Sequence, residues 1–380
     1  MKKIFYWSPC LSKVGTTNST INSAIGMSKF YKKEFKVYLI NSCGEWDKYI
    51  EYFKLNKVEL INLNYSYFNY LPKQGFIGSR ISYIIIFLLS LIPLLNLLKK
   101  EKPDFIILHL ITSLPLLLLS IFNFNTKFIL RISGYPNLNN IRKRFWQSLS
   151  KKIYKVTTPT KDLLNQISEK NIFNKEKIYY LPDAMINIKE FIFKQSKYKS
   201  KNEDVIRDKY FISVGRLTKQ KNFSYLIKEF ADFCSENQNY NLLIFGEGEE
   251  KKKLIDLIIN KNLSNKIFLM GFTDNIYFYM KKSSGFILSS LWEEPGAVLM
   301  EAAISNTFII SSNCLNGPSE FLEKGKYGLL YESNKKEALK NKLLEFTNEN
   351  NFFKKKIGAK KNSMKYTMFR HSQKLKKIIN

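Results

Sequence analysis

The chain has 380 residues and 45% hydrophobic content, more than one ordinary domain holds and enough to build two cores. Lys+Arg of 61 against Asp+Glu of 32 leave a formal charge of +29, which favours phosphate-rich partners, whether nucleic acid, anionic lipid or sugar nucleotide, without choosing among them. Cys10, Cys43, Cys234 and Cys314 are scattered without C-x-x-C pairing, and His109 and His371 are the only imidazoles, so neither a disulfide framework nor zinc spacing is visible and a reducing, cytosolic compartment fits best.

The N-terminal stretch MKKIFYWS carries an apolar run of four residues before Ser8 and Pro9, which reads as a first β-strand and is too short for a signal peptide. A helix over roughly 17–32 follows, then the strands KVYLIN and VELINL, a helix over about 80–98, the strand DFIILHL, another helix and the strand KFILRIS. Alternation of this kind predicts a parallel sheet covered on both faces. In the turn after the first strand, Gly15 is the one residue suited to close approach, with Thr16 beside it. Residues 81–98 are apolar for almost a transmembrane length but contain Ser82, Ser90, Pro93 and Asn96, and a strand pattern resumes right after Lys102-Pro103. The expectation is a helix buried in the α/β layer or leaning on lipid, not a span.

After the strand ending at Ser133, Gly134 and Pro136 make a turn, and the next helix mixes Arg142, Lys143, Arg144, Lys151, Lys152 and Lys155 with Phe145, Trp146 and Leu149. That basic amphipathic pattern fits a membrane-surface face or an acceptor-phosphate site, with a plain solvated helix as the alternative. Residues 1–188 are expected to form one Rossmann-like domain, 189–209 a Lys-rich linker, 210–350 a second such domain, and 351–380 a terminal basic segment. The second domain restarts with YFISVGR and continues through NLLIFGEGEE, KIFLMGF, GFILSS, TFIISSN and YGLLYE. The GxG of GEGEE lacks the third glycine of a dinucleotide fingerprint. The last thirty residues hold ten Lys/Arg and no Asp or Glu, with apolar residues interspersed, a composition that fits contact with anionic lipid.

Two stretches carry chemistry. In FISVGRLTKQKNF, a strand ends at Gly215, and Arg216 and Lys221 flank a short loop. Cations placed there stabilise the charge that builds on a diphosphate leaving group more than they stabilise the ground state. In GFILSSLWEEPGAVLMEAAI, residues 286–290 read as a buried strand and 296–305 as a helix, with Pro295 in its first turn. Glu293 then lies in a loop and Glu301 on the helix. Pro295, Gly296 and Ala297 would bring the helix N-terminus, with its free N–H groups and partial positive charge, to a diphosphate at the strand edge. A capped surface helix with solvated carboxylates is the plain alternative.

The pair Glu293 and Glu301 resembles the E-x(7)-E element of family-4 glycosyltransferases, and Gly215, Arg216, Lys221 and Asn222 resemble that family's diphosphate clamp. LWEEPG is similar to the form found in the bacterial surface-polysaccharide (O-antigen and capsule) group. The resemblance implies the GT-B fold, two doubly wound parallel-sheet domains facing a cleft, with the C-terminal helix crossing back to the first domain. It implies a retaining hexosyltransferase that uses a UDP- or GDP-linked sugar and needs no metal or other cofactor, with a glycan or lipid-linked acceptor on the inner face of the cytoplasmic membrane. It gives Glu301 the ribose hydroxyls, Glu293 the donor sugar, and Gly271 with Phe272 the border of the base. Ser12 to Thr16 would face donor or acceptor. Many members carry His-Gly at the end of the strand where this chain has Ser133 and Gly134, so a catalytic His does not carry over. A sugar-nucleotide epimerase of the same fold and a basic nucleic-acid-binding protein are the rival readings. No nucleic-acid recognition motif is visible, so no nucleic-acid partner is expected.

Overall fold

A computed structural model describes the chain except for residues 12–14, 73–74, 197–207 and 350. The chain forms two compact units, Met1–Met185 with Tyr366–Asn380, and Ile186–Lys365.

The first unit runs β1 (Lys2–Trp7), α1 (Gly15–Phe30), β2 (Phe35–Asn41), α2 (Ile50–Leu55), β3 (Glu59–Asn62), α3 (Gly75–Glu101), β4 (Phe105–Leu108), α4 (Ser113–Ile121), β5 (Lys127–Arg131), α5 (Asn140–Leu149), β6 (Lys155–Thr158), α6 (Lys161–Glu169) and β7 (Ile178–Tyr180). Its strands pair in parallel in the order β3-β2-β1-β4-β5-β6-β7. Successive residues of a strand face opposite sides of the sheet, and β1 shows why its run is apolar throughout. Phe5 and Trp7 join the core on one face, while Ile4 and Tyr6 join the core on the other.

The second unit runs α7 (Ile188–Ser196), β8 (Lys209–Val214), α8 (Phe223–Cys234), β9 (Tyr240–Phe245), α9 (Lys251–Asn260), β10 (Ile267–Gly271), α10 (Ile276–Lys282), β11 (Gly285–Leu288), α11 (Ala297–Ile304), β12 (Ile309–Ser312), α12 (Pro318–Phe321), β13 (Leu329–Tyr331), α13 (Ala338–Asn348) and α14 (Phe353–Ser363). The order β10-β9-β8-β11-β12-β13 is again wholly parallel. In each sheet the winding direction reverses at one place, between β1 and β4 and between β8 and β11. Open α/β sheets take ligands outside the strand C-termini at such points.

Four expectations change. The stretch expected to be a linker from residue 189 begins instead as helix α7, whose Phe191 is buried against Tyr277 of α10, with ring centroids 5.1 Å apart; the rest of that stretch lies largely outside the described residues. The terminal segment divides in two: α14 belongs to the second unit, and α15 (Met368–Ile379) belongs to the first. The apolar residues of α15 expected to be available to lipid instead join the core, because Met368, Leu375, Ile378 and Ile379 pack with Ile21, Ala24 and Ile25 of α1. The helix expected over 80–98 runs to 27 residues and is only partly covered by protein.

Candidate active site

At the β8/β11 reversal the two loops singled out in the sequence are bonded together. Ser289 Oγ donates to the Lys221 carbonyl at 2.7 Å, Gln220 Nε2 to the Trp292 carbonyl at 2.9 Å, and the Leu291 N–H to the Gln220 carbonyl at 2.9 Å. Lys221 Nζ stands 2.5 Å from Glu293 Oε1, which also accepts from Ser290 Oγ at 2.5 Å. The pair is nearly dry, with side-chain exposures of 13% for Lys221 and 5% for Glu293. Gly215 makes this possible, since a Cβ there would stand 3.2 Å from the Lys221 stem. The next loop presses in more closely still: at Gly246, with φ of +141°, a Cβ would fall 1.9 Å from the Gly215 carbonyl oxygen, so the GxG of GEGEE serves close backbone packing.

Arg216 is exposed, and its guanidinium has no hydrogen-bond or ion-pair partner among the described residues. A fork of five donors thus stands free beside a buried lysine whose ammonium has donors beyond the one given to Glu293.

Pro295 lies one residue before the cap of α11 and not in its first turn. The cap is Gly296, with φ of +84°, and it offers no side-chain acceptor. The first-turn N–H groups at Ala297 and Val298 therefore have no intrahelical acceptor and no side-chain cap. Glu301, one turn further along, is partly buried, and its carboxylate has no partner among the described residues. Burial pushes its pKa up to about 7; Lys194 of α7 opposes that rise and Glu190 adds to it. Tyr277 of α10 shares this surrounding, and its phenol is held well above the ordinary value by burial and by the charges of Glu301 and Glu190. A half-buried carboxylate without donors is the group a vicinal diol satisfies.

Residues 194–364 match the family described as glycosyl transferases group 1. An uncharacterized glycosyltransferase of Methanocaldococcus jannaschii is 31% identical over 268 residues, 62% of this chain and 65% of that one. The N-acetylgalactosamine-N,N'-diacetylbacillosaminyl-diphospho-undecaprenol 4-alpha-N-acetylgalactosaminyltransferase of Campylobacter jejuni is 27% identical over 218 residues, 57% of this chain and 59% of that one. The chain thus spans less than two thirds of the length of either relative. In fold it is similar over 100% of its length to 97% of a crystallised glycosyltransferase of Rickettsia africae, with a TM-score of 0.78 at 18% identity. The fold is GT-B in class, two doubly wound parallel-sheet domains.

Within the matched region, Gly271 ends the edge strand β10 with φ of +68°, and its carbonyl accepts from the Gly246 N–H at 2.8 Å. The following Phe272 is 69% exposed, a free aromatic face two strands from β8, or about 10 Å away at ordinary strand spacing.

In the first unit, Ser133 and Gly134 line a cavity of about 560 Å³ together with His109, Arg131, Arg142 and Trp146, while Gly15 and Thr16 are not among its lining residues. Gly15 opens α1, and Ser12 lies outside the described residues. Ser133 Oγ accepts from Arg131 at 2.5 Å, and Arg131 forms a buried ion pair with Asp183. His109 was not singled out in the sequence, where it reads as the end of an apolar strand. Its Nδ1 is 3.2 Å from Thr20 Oγ1, and Thr20 donates its own proton to the Thr16 carbonyl at 2.9 Å. With the Thr20 proton on that carbonyl, Nδ1 carries the hydrogen and Nε2, buried and without a hydrogen-bond partner among the described residues, is an acceptor. Burial, followed by the Arg131 and His371 charges, holds its pKa well below the ordinary value, so the ring is neutral. Among the described residues no group of three or more His, Cys, Asp or Glu stands close enough to hold a metal ion.

Proposed function

We propose that this protein is a glycosyltransferase that moves a hexose from a UDP- or GDP-linked donor, with retention of configuration, onto a lipid-linked glycan during surface-polysaccharide synthesis. It works without a metal or other cofactor, as a peripheral protein on the inner face of the cytoplasmic membrane. The observation that carries the reading is the cluster at the β8/β11 reversal: an unpartnered Arg216, the Lys221–Glu293 pair and the uncapped N-terminus of α11 converge on one strand edge. The match to glycosyl transferases group 1 supports it, and the name of the Campylobacter relative supports a diphospho-polyprenol acceptor.

In this reading the diphosphate lies between Arg216 and the first turn of α11. Negative charge grows on the leaving group as the glycosidic bond breaks, so donors already aimed at it stabilise the transition state most. Lys221 keeps Glu293 in place while its remaining N–H groups face the phosphate, and Glu293 orients the sugar. Glu301 takes the ribose hydroxyls, and Phe272 covers the base. His109 Nε2 accepts a hydroxyl of the glycan in the first-unit cavity, whose Arg142 meets its phosphate.

The test is a screen of UDP-, GDP- and ADP-sugars for hydrolysis, with calorimetry of the free nucleoside diphosphates. Binding of one diphosphate and turnover of its sugar, both lost in Arg216→Ala/Glu301→Gln, is the expected result. Absence of binding to any of the three would overturn the reading.

A further inference from the structure

Helix α3 is unusual in its partners more than in its composition. Ser82, Ile86, Ser90, Leu94 and Leu98, four residues apart, are buried to within 1% and fasten one face to the first unit, where Ser82 Oγ also donates to the Pro72 carbonyl at 2.5 Å. The opposite face is apolar too. Ile77, Ile81, Ile84, Leu88 and Ile92, spaced by four, three, four and four residues, are 73%, 45%, 60%, 64% and 64% exposed. Such spacing keeps them on one stripe, about 22 Å long at 1.5 Å per residue. Soluble monomers rarely expose a contiguous apolar patch larger than a few hundred Å² without a partner for it.

The surrounding charge says what that partner is. No Asp or Glu occurs between Glu59 and Glu101, while Arg80 and the pair Lys99 and Lys100 stand exposed toward the two ends of the helix. Tyr65, Tyr70 and Tyr83, 77%, 88% and 38% exposed, add amphipathic rings in and just before the helix, Tyr65 following Asn64, whose side chain donates to the Leu89 carbonyl at 3.2 Å. A second copy of the chain laid antiparallel on this stripe would bring no acidic side chain from the same segment to Arg80, Lys99 or Lys100, because residues 60–100 contain none. Tyrosines and basic residues flanking an aliphatic stripe instead match the layers of a bilayer with anionic headgroups.

We infer that α3 docks the protein on an anionic lipid surface, lying in the interface with this stripe in the acyl boundary while its other face stays on the sheet. A span is a different matter: it would require pulling Ile86, Leu94 and Leu98 out of the core. The inference deepens the membrane part of the proposed function, but its test involves no sugar donor, so either can fail alone.

The test uses the full chain with vesicles of phosphatidylcholine alone or with one third phosphatidylglycerol. Sedimentation with the anionic vesicles is expected, weakened about tenfold or more in Ile84→Gln/Leu88→Gln, which alters only exposed positions and keeps all charges. In Leu88→Trp, tryptophan emission should shift to the blue on adding anionic vesicles. Equal vesicle binding by wild type and the double variant, or unshifted Leu88→Trp emission, would overturn the inference. So would a wild-type dimer in solution that the double variant dissociates, because the stripe would then belong to a second copy.

Discussion

The two sheets reverse direction in the same way but fill the reversal with opposite electrostatics. At β8/β11 a lysine and a glutamate face each other, with a free arginine and an uncapped helix beside them. At β1/β4 the groups are neutral: Ser8 Oγ lies 3.2 Å from Thr20 Oγ1, which accepts from a neutral His109. In the proposed function the first arrangement would suit a diphosphate leaving group and the second would suit hydroxyls. The difference comes from a handful of side chains at the strand ends.

The sharpest way to break the comparison is to remove the charge pair. Lys221→Ala should lower turnover by about 100-fold or more and destabilise the second unit by about 2–4 kcal/mol, since Glu293 would be left buried with only Ser290. In Lys221→Met/Glu293→Gln, most of the stability should return and the rate should not, as read by urea unfolding beside donor hydrolysis. Arg216→Ala should cost on the order of 100-fold in turnover but leave stability within about 0.5 kcal/mol, because the side chain has no partner to lose among the described residues.

Glu301 should act on binding, where the effect is smaller. With its pKa pushed up to about 7, the carboxylate is mostly protonated at pH 6 and mostly charged at pH 8. Calorimetry should therefore show free nucleoside diphosphate binding weakening several-fold from pH 8 to pH 6, and Glu301→Gln should be weak and flat across that range. A raised carboxyl pKa means that the folded state holds the proton more tightly than the unfolded one. The contribution of Glu301 to stability accordingly falls as pH rises from about 4.5 through 7.

His371 gives the first unit the opposite sign. Its ring lies between Ser23 Oγ, 2.8 Å from Nε2, and the Pro182 carbonyl, 2.6 Å from Nδ1, and burial holds its pKa down to about 4. The unfolded chain binds that proton more readily, so stability is full above about pH 6.5 and is lost as pH falls toward 4. Hydrogen exchange should show the first unit losing about 1 kcal/mol between pH 7.5 and 5.5, a loss that His371→Phe flattens. Acid loss of equal size in both units would end the contrast.

Much of this was legible along the chain. Buried parallel strands are mostly continuous apolar runs, and eleven of the thirteen strands among the described residues fall on a stretch such as KIFYWS, FIILHL or FISVG that local pattern marks out, β6 (KVTT) being too polar for that. Arg216 and Lys221 could be named because cations in a loop after a strand suit an anion, and Glu293 and Glu301 because their spacing resembles the E-x(7)-E element. What local pattern could not supply was pairing. That Glu293 neutralises Lys221, 72 positions away, depends on β11 lying beside β8. Ser290, Tyr277 and His109 gained their roles in the same way, each an ordinary residue until another element was folded against it.

The terminal helix and α3 mark the boundary most clearly. Sequence alone determined that a basic segment with interspersed apolar residues closes the chain over 351–380 and that an apolar helix lies over about 80–98, because helical periodicity and composition are local properties. Only the tertiary structure decided which apolar face is spent on the protein. His371, Leu375 and Ile378 are covered by the first unit, whereas Ile84, Leu88 and Ile92 remain uncovered. Burial is a property of what packs against a helix, and the elements that do so lie far from it in the chain.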